Sequence, residues 1–274
     1  NDLTRPDARH NLRPEVFNPE PKTTSRDLGL CFFSGEVAMH PHISEQIHPE
    51  IITIQGMLRK IDCLRLPLAS RRDVESILVR QVCREIDRAL PWQAGHGRRT
   101  AAISLLIGRA VDMTAGELHN LKLAAFLHDI GLLMLPHELT IGVSQLDPDS
   151  YVTVQNHPRH GASLLEPFFF LREPTVLIAH HHERWDGSGY PYGIRGRFIP
   201  LGSRILSIAD AFDAIRIPEV SNRVVRNTIA LRILRVAAGT QFDPELVDAL
   251  WLLKESIPGS DLIEPTTRNC FDSH

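Results

Sequence analysis

Apolar residues return at steps of three and four through most of the chain, with polar residues between them. Val74, Ile77, Leu78, Val82, Ile86 and Leu90 form one such stripe, which predicts an amphipathic helix stopped by Pro91. Comparable stripes predict helices over Arg98–Val111, over Glu117–His128 through Leu118, Leu121, Ala125 and Leu127, and over Pro174–His182, Leu201–Ile215, Thr228–Ala238 and Pro244–Lys254. A further short helix is expected between Ile43 and Leu66. Almost no run alternates with period two, so the expected fold is all-α, a helical bundle. Ahead of it, Asn1–His42 is sparse in apolar residues and broken by Pro6, Pro14, Pro19, Pro21 and Pro41. The expected division is 1–70 as an N-terminal linker or partial helical region, 71–258 as the helical domain and 259–274 as a C-terminal tail.

At 274 residues and 43% hydrophobic side chains, the chain has material for one large domain plus an appendage. Lys and Arg number 30 against 33 Asp and Glu, a formal charge of -3, which supplies no basic field for duplex nucleic acid. An anionic ligand must then be caught locally. Cys31, Cys63, Cys83 and Cys270 form no C-x-x-C pair, and a chain of this size does not depend on disulfides, so a reducing cytoplasm is expected. No segment approaches the ~18 uninterrupted apolar residues of a membrane span, and no signal-peptide pattern opens the sequence.

The chemistry concentrates in two places. His180-His181-His182-Glu183-Arg184-Trp185-Asp186-Gly187-Ser188-Gly189-Tyr190-Pro191 sets consecutive imidazoles and carboxylates before a glycine-rich turn, and His128-Asp129-Ile130-Gly131 puts a nitrogen and an oxygen ligand side by side. With His96, His157 and Asp210 they give a candidate ligand set of His96, His128, Asp129, His157, His181, His182 and Asp210, each at or near a predicted helix end. A bundle can converge such ends at one depth in its core. This is more than one ion takes, whereas two divalent ions bridged by a carboxylate and a water-derived oxygen use the set naturally. Nitrogen and oxygen ligation without thiolate points first to iron or manganese and leaves zinc, cobalt and nickel open. His119, His137, His160 and His180 read as hydrogen-bonded structural histidines. Gly187 and Gly189 supply turn chemistry wherever they occur, and here are expected to shape a loop over the site.

Over about Arg71 to Lys254 the sequence resembles the HD-GYP domain, a branch of the HD phosphohydrolases. The resemblance rests on His128-Asp129-Ile130-Gly131, on Asn156-His157-Pro158 with Gly161-Ala162, on His181 through Pro191, and on Ile199-Pro200-Leu201 and Arg204-Ile205-Leu206. Ile208-Ala209-Asp210-Ala211-Phe212-Asp213-Ala214 and Ala238-Gly239-Thr240-Gln241-Phe242-Asp243-Pro244 complete it. It implies a bacterial signalling hydrolase: a cyclic di-GMP phosphodiesterase of the HD type, with two or three ions in the bundle core. His128 and Asp129 are then expected at the reacting centre, His96 takes the place of the first family histidine, and the remaining candidates fall on the other family ligands. Tyr190, Arg223 and Arg226 are expected to face substrate, and Asp213, one turn beyond Asp210, to orient a ligand or bind the substrate's guanine, with Gly187, Gly189 and Pro191 in the loop over it.

Three departures bear on that expectation. Trp92 stands where three-metal members carry a glutamate, which implies two ions and a linear pGpG product. Leu132 replaces the lysine that usually follows His-Asp-x-Gly near the scissile phosphate. The usual Arg-Pro-Tyr-Arg segment is replaced, with Arg223 and Arg226 keeping its three-residue step. The alternative is a weakly active or inactive module that serves as cyclic di-GMP receptor, or as scaffold for a diguanylate cyclase partner through the Gly-Tyr-Pro loop. A third reading, hydrolysis of an ordinary nucleotide, is opposed by that loop.

Overall fold

The computed structural model describes residues 30–33, 36–39, 48–140, 147–215 and 223–257. The chain divides into two compact units, Asn1–Glu45 and Gln46–His274. In the first, β1 (Leu30–Phe33) and β2 (Glu36–Met39) pair antiparallel with Leu30 opposite Met39 and Phe33 opposite Glu36. Periodicity does not announce this hairpin, because each strand is only four residues long.

The second unit is a helical bundle. In chain order it contains α1 (Glu50–Asp62), α2 (Leu68–Ala89), α3 (His96–Ala110), α4 (Ala115–Leu127), α5 (His137–Thr140), α6 (Pro148–Val154), α7 (His157–Leu165), α8 (Arg172–Ala179), α9 (Leu201–Ile215), α10 (Arg223–Val236) and α11 (Pro244–Leu252). The all-α expectation holds for this unit. Among the described residues, no helix is long and apolar enough to cross a membrane.

At the centre lies α4. Leu121 and Leu123 through Leu127 are all buried, so its C-terminal half has no polar face and packs against α2, α3, α8 and α9. Its N-terminus carries a capping box: Thr114 Oγ1 accepts from Glu117 N, and the Glu117 carboxylate accepts from Thr114 N. On α2 the buried face runs through Val79, Val82, Cys83, Ile86 and Leu90, while Ile77, expected in the stripe, is exposed. Three-residue steps bring Ile77 to the flank of that face rather than its centre.

Two close approaches set the position of the functional helices. A Cβ on Gly97 of α3 would lie 3.2 Å from Phe126 O and 3.3 Å from Ala125 O, so glycine lets the start of α3 lie against the end of α4. The 3-10 turn Ile130–Met134 meets α7 more tightly still: a Cβ on Gly131 would fall 1.9 Å from His157 O and 2.5 Å from Gly161 N. Farther out, Asp243 caps α11 by accepting from Glu245 N and also accepts from Arg204 Nη1 of α9 at 2.5 Å, a buried tie between the two helices.

Candidate metal centre

One local motif builds much of the centre, and it occurs three times. His128, His157 and His181 each follow the last turn of a helix, α4, α6 and α8 respectively. In each, ring Nδ1 donates to the carbonyl three residues back: His128 to Ala125 O at 3.0 Å, His157 to Val154 O at 2.9 Å and His181 to Ile178 O at 2.6 Å. Helix ends leave carbonyls without intrahelical partners, and the imidazole N–H satisfies one. A carbonyl oxygen only accepts, so Nδ1 carries a proton and Nε2 is the ring nitrogen left for the bundle interior, the one that metal ligation would use. This explains why α8 ends at Ala179 rather than running on to His182 as expected.

The seven candidate residues come together in one pocket, in two groups. His157, His181 and His182 form one, with His157 Nε2 and His181 Nε2 3.3 Å apart. His96, His128 and Asp129 form the other, with Asp210 Oδ1 3.0 Å from His96 Nε2 and 3.8 Å from His128 Nε2. Asp129 belongs to both: Oδ1 lies 3.4 Å from His157 Nε2, and Oδ2 lies 3.2 Å from His128 Nε2 and 3.9 Å from His96 Nε2. His128 Nε2 is buried and makes no hydrogen bond. A buried ring nitrogen left without a hydrogen bond, facing carboxylates among clustered imidazoles, fits a divalent cation.

Behind His96 stands a second layer. Asp213 Oδ2 accepts from His96 Nδ1 at 2.8 Å, and Arg99 Nε donates to both Asp213 oxygens at 2.8 and 3.0 Å. Asp213 therefore orients His96, one of the two roles expected of it. Arg99, three residues after His96, also donates to Ala94 O at 3.1 Å. Gln93, which sequence reasoning passed over, sends its Nε2 to Asp129 Oδ2 at 2.9 Å. Its one signal was its position one turn ahead of His96.

The electrostatics of the groups differ. Burial opposes charge on His96, but hydrogen bonds to Asp210 and Asp213 outweigh it and push the imidazole up to about 10. His128 is likewise raised despite burial, chiefly by the Asp129 charge. Burial, reinforced by neighbouring imidazoles, holds His181 well below its ordinary range and lowers His182 to about 4.

The loop after His182 folds back over this group. Gly189 is required by contact: a Cβ there would lie 2.3 Å from Arg184 N and 2.6 Å from His182 O. Gly187 adopts φ +86°, a left-handed conformation that glycine accepts without steric cost. Tyr190 then stacks on the His182 ring at 4.9 Å, next to Pro191, and Tyr192 N donates to buried Glu183 at 2.7 Å.

Trp92 is half exposed, and Leu132 is buried in the hydrophobic core. Arg226 lies on α10 with Nε buried and without a hydrogen-bond partner, whereas the Arg223 side chain lies outside the described residues. Of the structural histidines, His119 meets Glu75 at 3.0 Å between α4 and α2, and His137 packs edge-on to His48.

The HD domain family profile matches residues 80–246. The chain belongs to the HD-domain family. This HD-domain chain is 32% identical over 189 residues to the cyclic di-GMP phosphodiesterase response regulator RpfG of Xanthomonas campestris pv. campestris, covering 67% of this chain and 50% of that protein. It is 32% identical over 190 residues to a cyclic di-GMP phosphodiesterase of Thermotoga maritima, covering 65% and 50%. The chain thus spans about half the length of these relatives. A solved HDG"Y"P protein from Bdellovibrio bacteriovorus shares the HD fold, with a TM-score of 0.50 at 18% identity over 74% of this chain and 70% of that one.

Proposed function

We propose that this chain is a cyclic di-GMP phosphodiesterase module that opens the ring to linear pGpG with the help of two divalent ions, iron or manganese. The observation that carries the reading is Asp129, whose two oxygens address two separate groups of ligand atoms in one pocket. His157, His181 and His182 would hold one ion, His96, His128 and Asp210 the other, and Asp129 both. Divalent ions held there supply Lewis acidity toward phosphate oxygens and lower the pKa of water.

The chain's own residues supply the rest. Buried Nδ1–H donors keep three imidazoles in the ligating tautomer, and Asp213 with Arg99 keeps His96 turned inward. Tyr190, stacked on His182, walls the pocket and offers a face to a guanine base. Arg226, with Arg223, is assigned to substrate phosphates. The free thiols Cys63 and Cys83 accord with a cytoplasmic setting.

Two observations favour a second reading as receptor or scaffold. The side chain following Gly131 is apolar and committed to the core at Leu132, and the loop after Tyr190 exposes Tyr192 and Phe198 to a partner such as a diguanylate cyclase. Metal analysis of anaerobically purified protein, followed by a product assay on the same sample with Mn(II) or Fe(II), decides between them. Two ions and a linear product are expected; cyclic di-GMP bound at full metal content with no product establishes the receptor.

A further inference from the structure

Gln93 reaches the centre from outside the histidine and aspartate set. Its amide is oriented unambiguously, because a carboxylate oxygen accepts and only Nε2 can donate to it. The connection that carries it is pinned along its length. Leu90 O accepts from Gln93 N at 3.0 Å, Asp87 Oδ1 from Gly95 N at 3.0 Å, and Ala94 O from Arg99 Nη1 at 3.1 Å. Gln93 is therefore delivered to Asp129 by a fixed turn, while its neighbour Trp92 is half exposed.

Asp129 needs such a partner. The terminal torsion of an aspartate is broad and close to two-fold, so the backbone alone does not decide which way the carboxylate plane lies. His157 lies on the Oδ1 side, and His128 and His96 on the Oδ2 side. A carboxylate turned out of this plane would give both oxygens to one group and none to the other.

We propose that Gln93 is a positioning residue that locks the Asp129 carboxylate across the two ligand groups and so makes it a bridge. The metal consequence rests on the two-ion reading above; the carboxylate orientation does not. The variants are Gln93→Met, which keeps length and removes the donor, and Gln93→Glu, which sets an acceptor against Asp129.

Crystal structures of the metal-free wild type and both variants should show Asp129 turned out of the bridging plane in each variant. An unchanged carboxylate in both overturns the proposal. Titration with Mn(II), read by metal analysis and by electron paramagnetic resonance, should show the second ion weakened about tenfold in Gln93→Met. The exchange coupling between the ions should fall with it. Wild-type affinity for both ions and an unchanged coupled spectrum also overturn the proposal. Should the wild type take up fewer than two ions, the two-ion reading fails, and the Asp129 orientation still decides the role of Gln93.

Discussion

The two ligand groups flanking Asp129 are built on opposite principles. His157, His181 and His182 face one another without a carboxylate of their own, and burial with repulsion from neighbouring imidazoles disfavours the charged forms of His181 and His182. His96 and His128 instead lie against Asp129, Asp210 and Asp213, which favour protonated rings despite burial. The imidazole group is ready for a cation before one arrives. In the carboxylate group a proton on His96 does the work of a cation, bonded to Asp210 through the nitrogen that would ligate. A cation entering there displaces a proton; one entering the imidazole group does not.

The strongest way to break this comparison is to remove what the groups share. Asp129→Ala should abolish uptake of both ions and lower turnover by at least about a hundredfold, since even supporting residues around metals cost 10- to 100-fold. Metal content decides: one tightly held ion in this variant would show that the groups do not depend on a common carboxylate. Next, His181→Ala should lose the imidazole-group ion alone. Asp213→Asn, which acts through His96, should weaken the carboxylate-group ion about tenfold and leave the other in place. Equal losses from both variants would erase the distinction.

The pH response of chelated, metal-free protein sharpens it further. The folded pKa of His182 is about 4 against 6.5 for the unperturbed group, so its share of stability is present above pH 6.5 and is lost as pH falls from there toward 4. His96 works in the other direction. With its folded pKa at about 10, its contribution is present below pH 6.5 and is lost as pH rises toward 10. Denaturant midpoints in chelator should therefore peak near neutrality and fall on both sides. Mn(II) should remove the alkaline fall, because a cation replaces the His96 proton. A flat profile in chelator, or an alkaline fall untouched by Mn(II), contradicts the assignment.

The bundle was legible in its apolar stripes at steps of three and four, and the centre first of all in the adjacent His-Asp and His-His pairs beside apolar helices, where leucine would serve packing better. What escaped the sequence depends on geometry across elements. Three-residue spacing could not say that Ile77 is exposed on α2, nor that the C-terminal half of α4 is buried too completely to keep a polar stripe. The backward bond from Nδ1 to a helix carbonyl is invisible as a motif, because any residue three positions earlier supplies the oxygen. Gly131 shows the opposite case. Its need for a vacant Cβ position is absolute, but the backbone that requires it belongs to His157 and Gly161 of α7, far along the chain.

The smallest effect is expected at Arg226, which belongs to neither ligand group. Its Nε is buried without a partner, and leaving a cationic donor unpaired is unfavourable unless a ligand completes it. A phosphate does so with charge-assisted hydrogen bonds. Arg226→Ala should raise KM roughly tenfold, the value of about 1.4 kcal/mol for one such contact, while the ion content and the chelated pH profile stay at wild type. Loss of metal in this variant would tie α10 to one of the ligand groups and end the separation of metal binding from substrate binding. An unchanged KM would move phosphate recognition elsewhere, with Arg223 the next residue to replace.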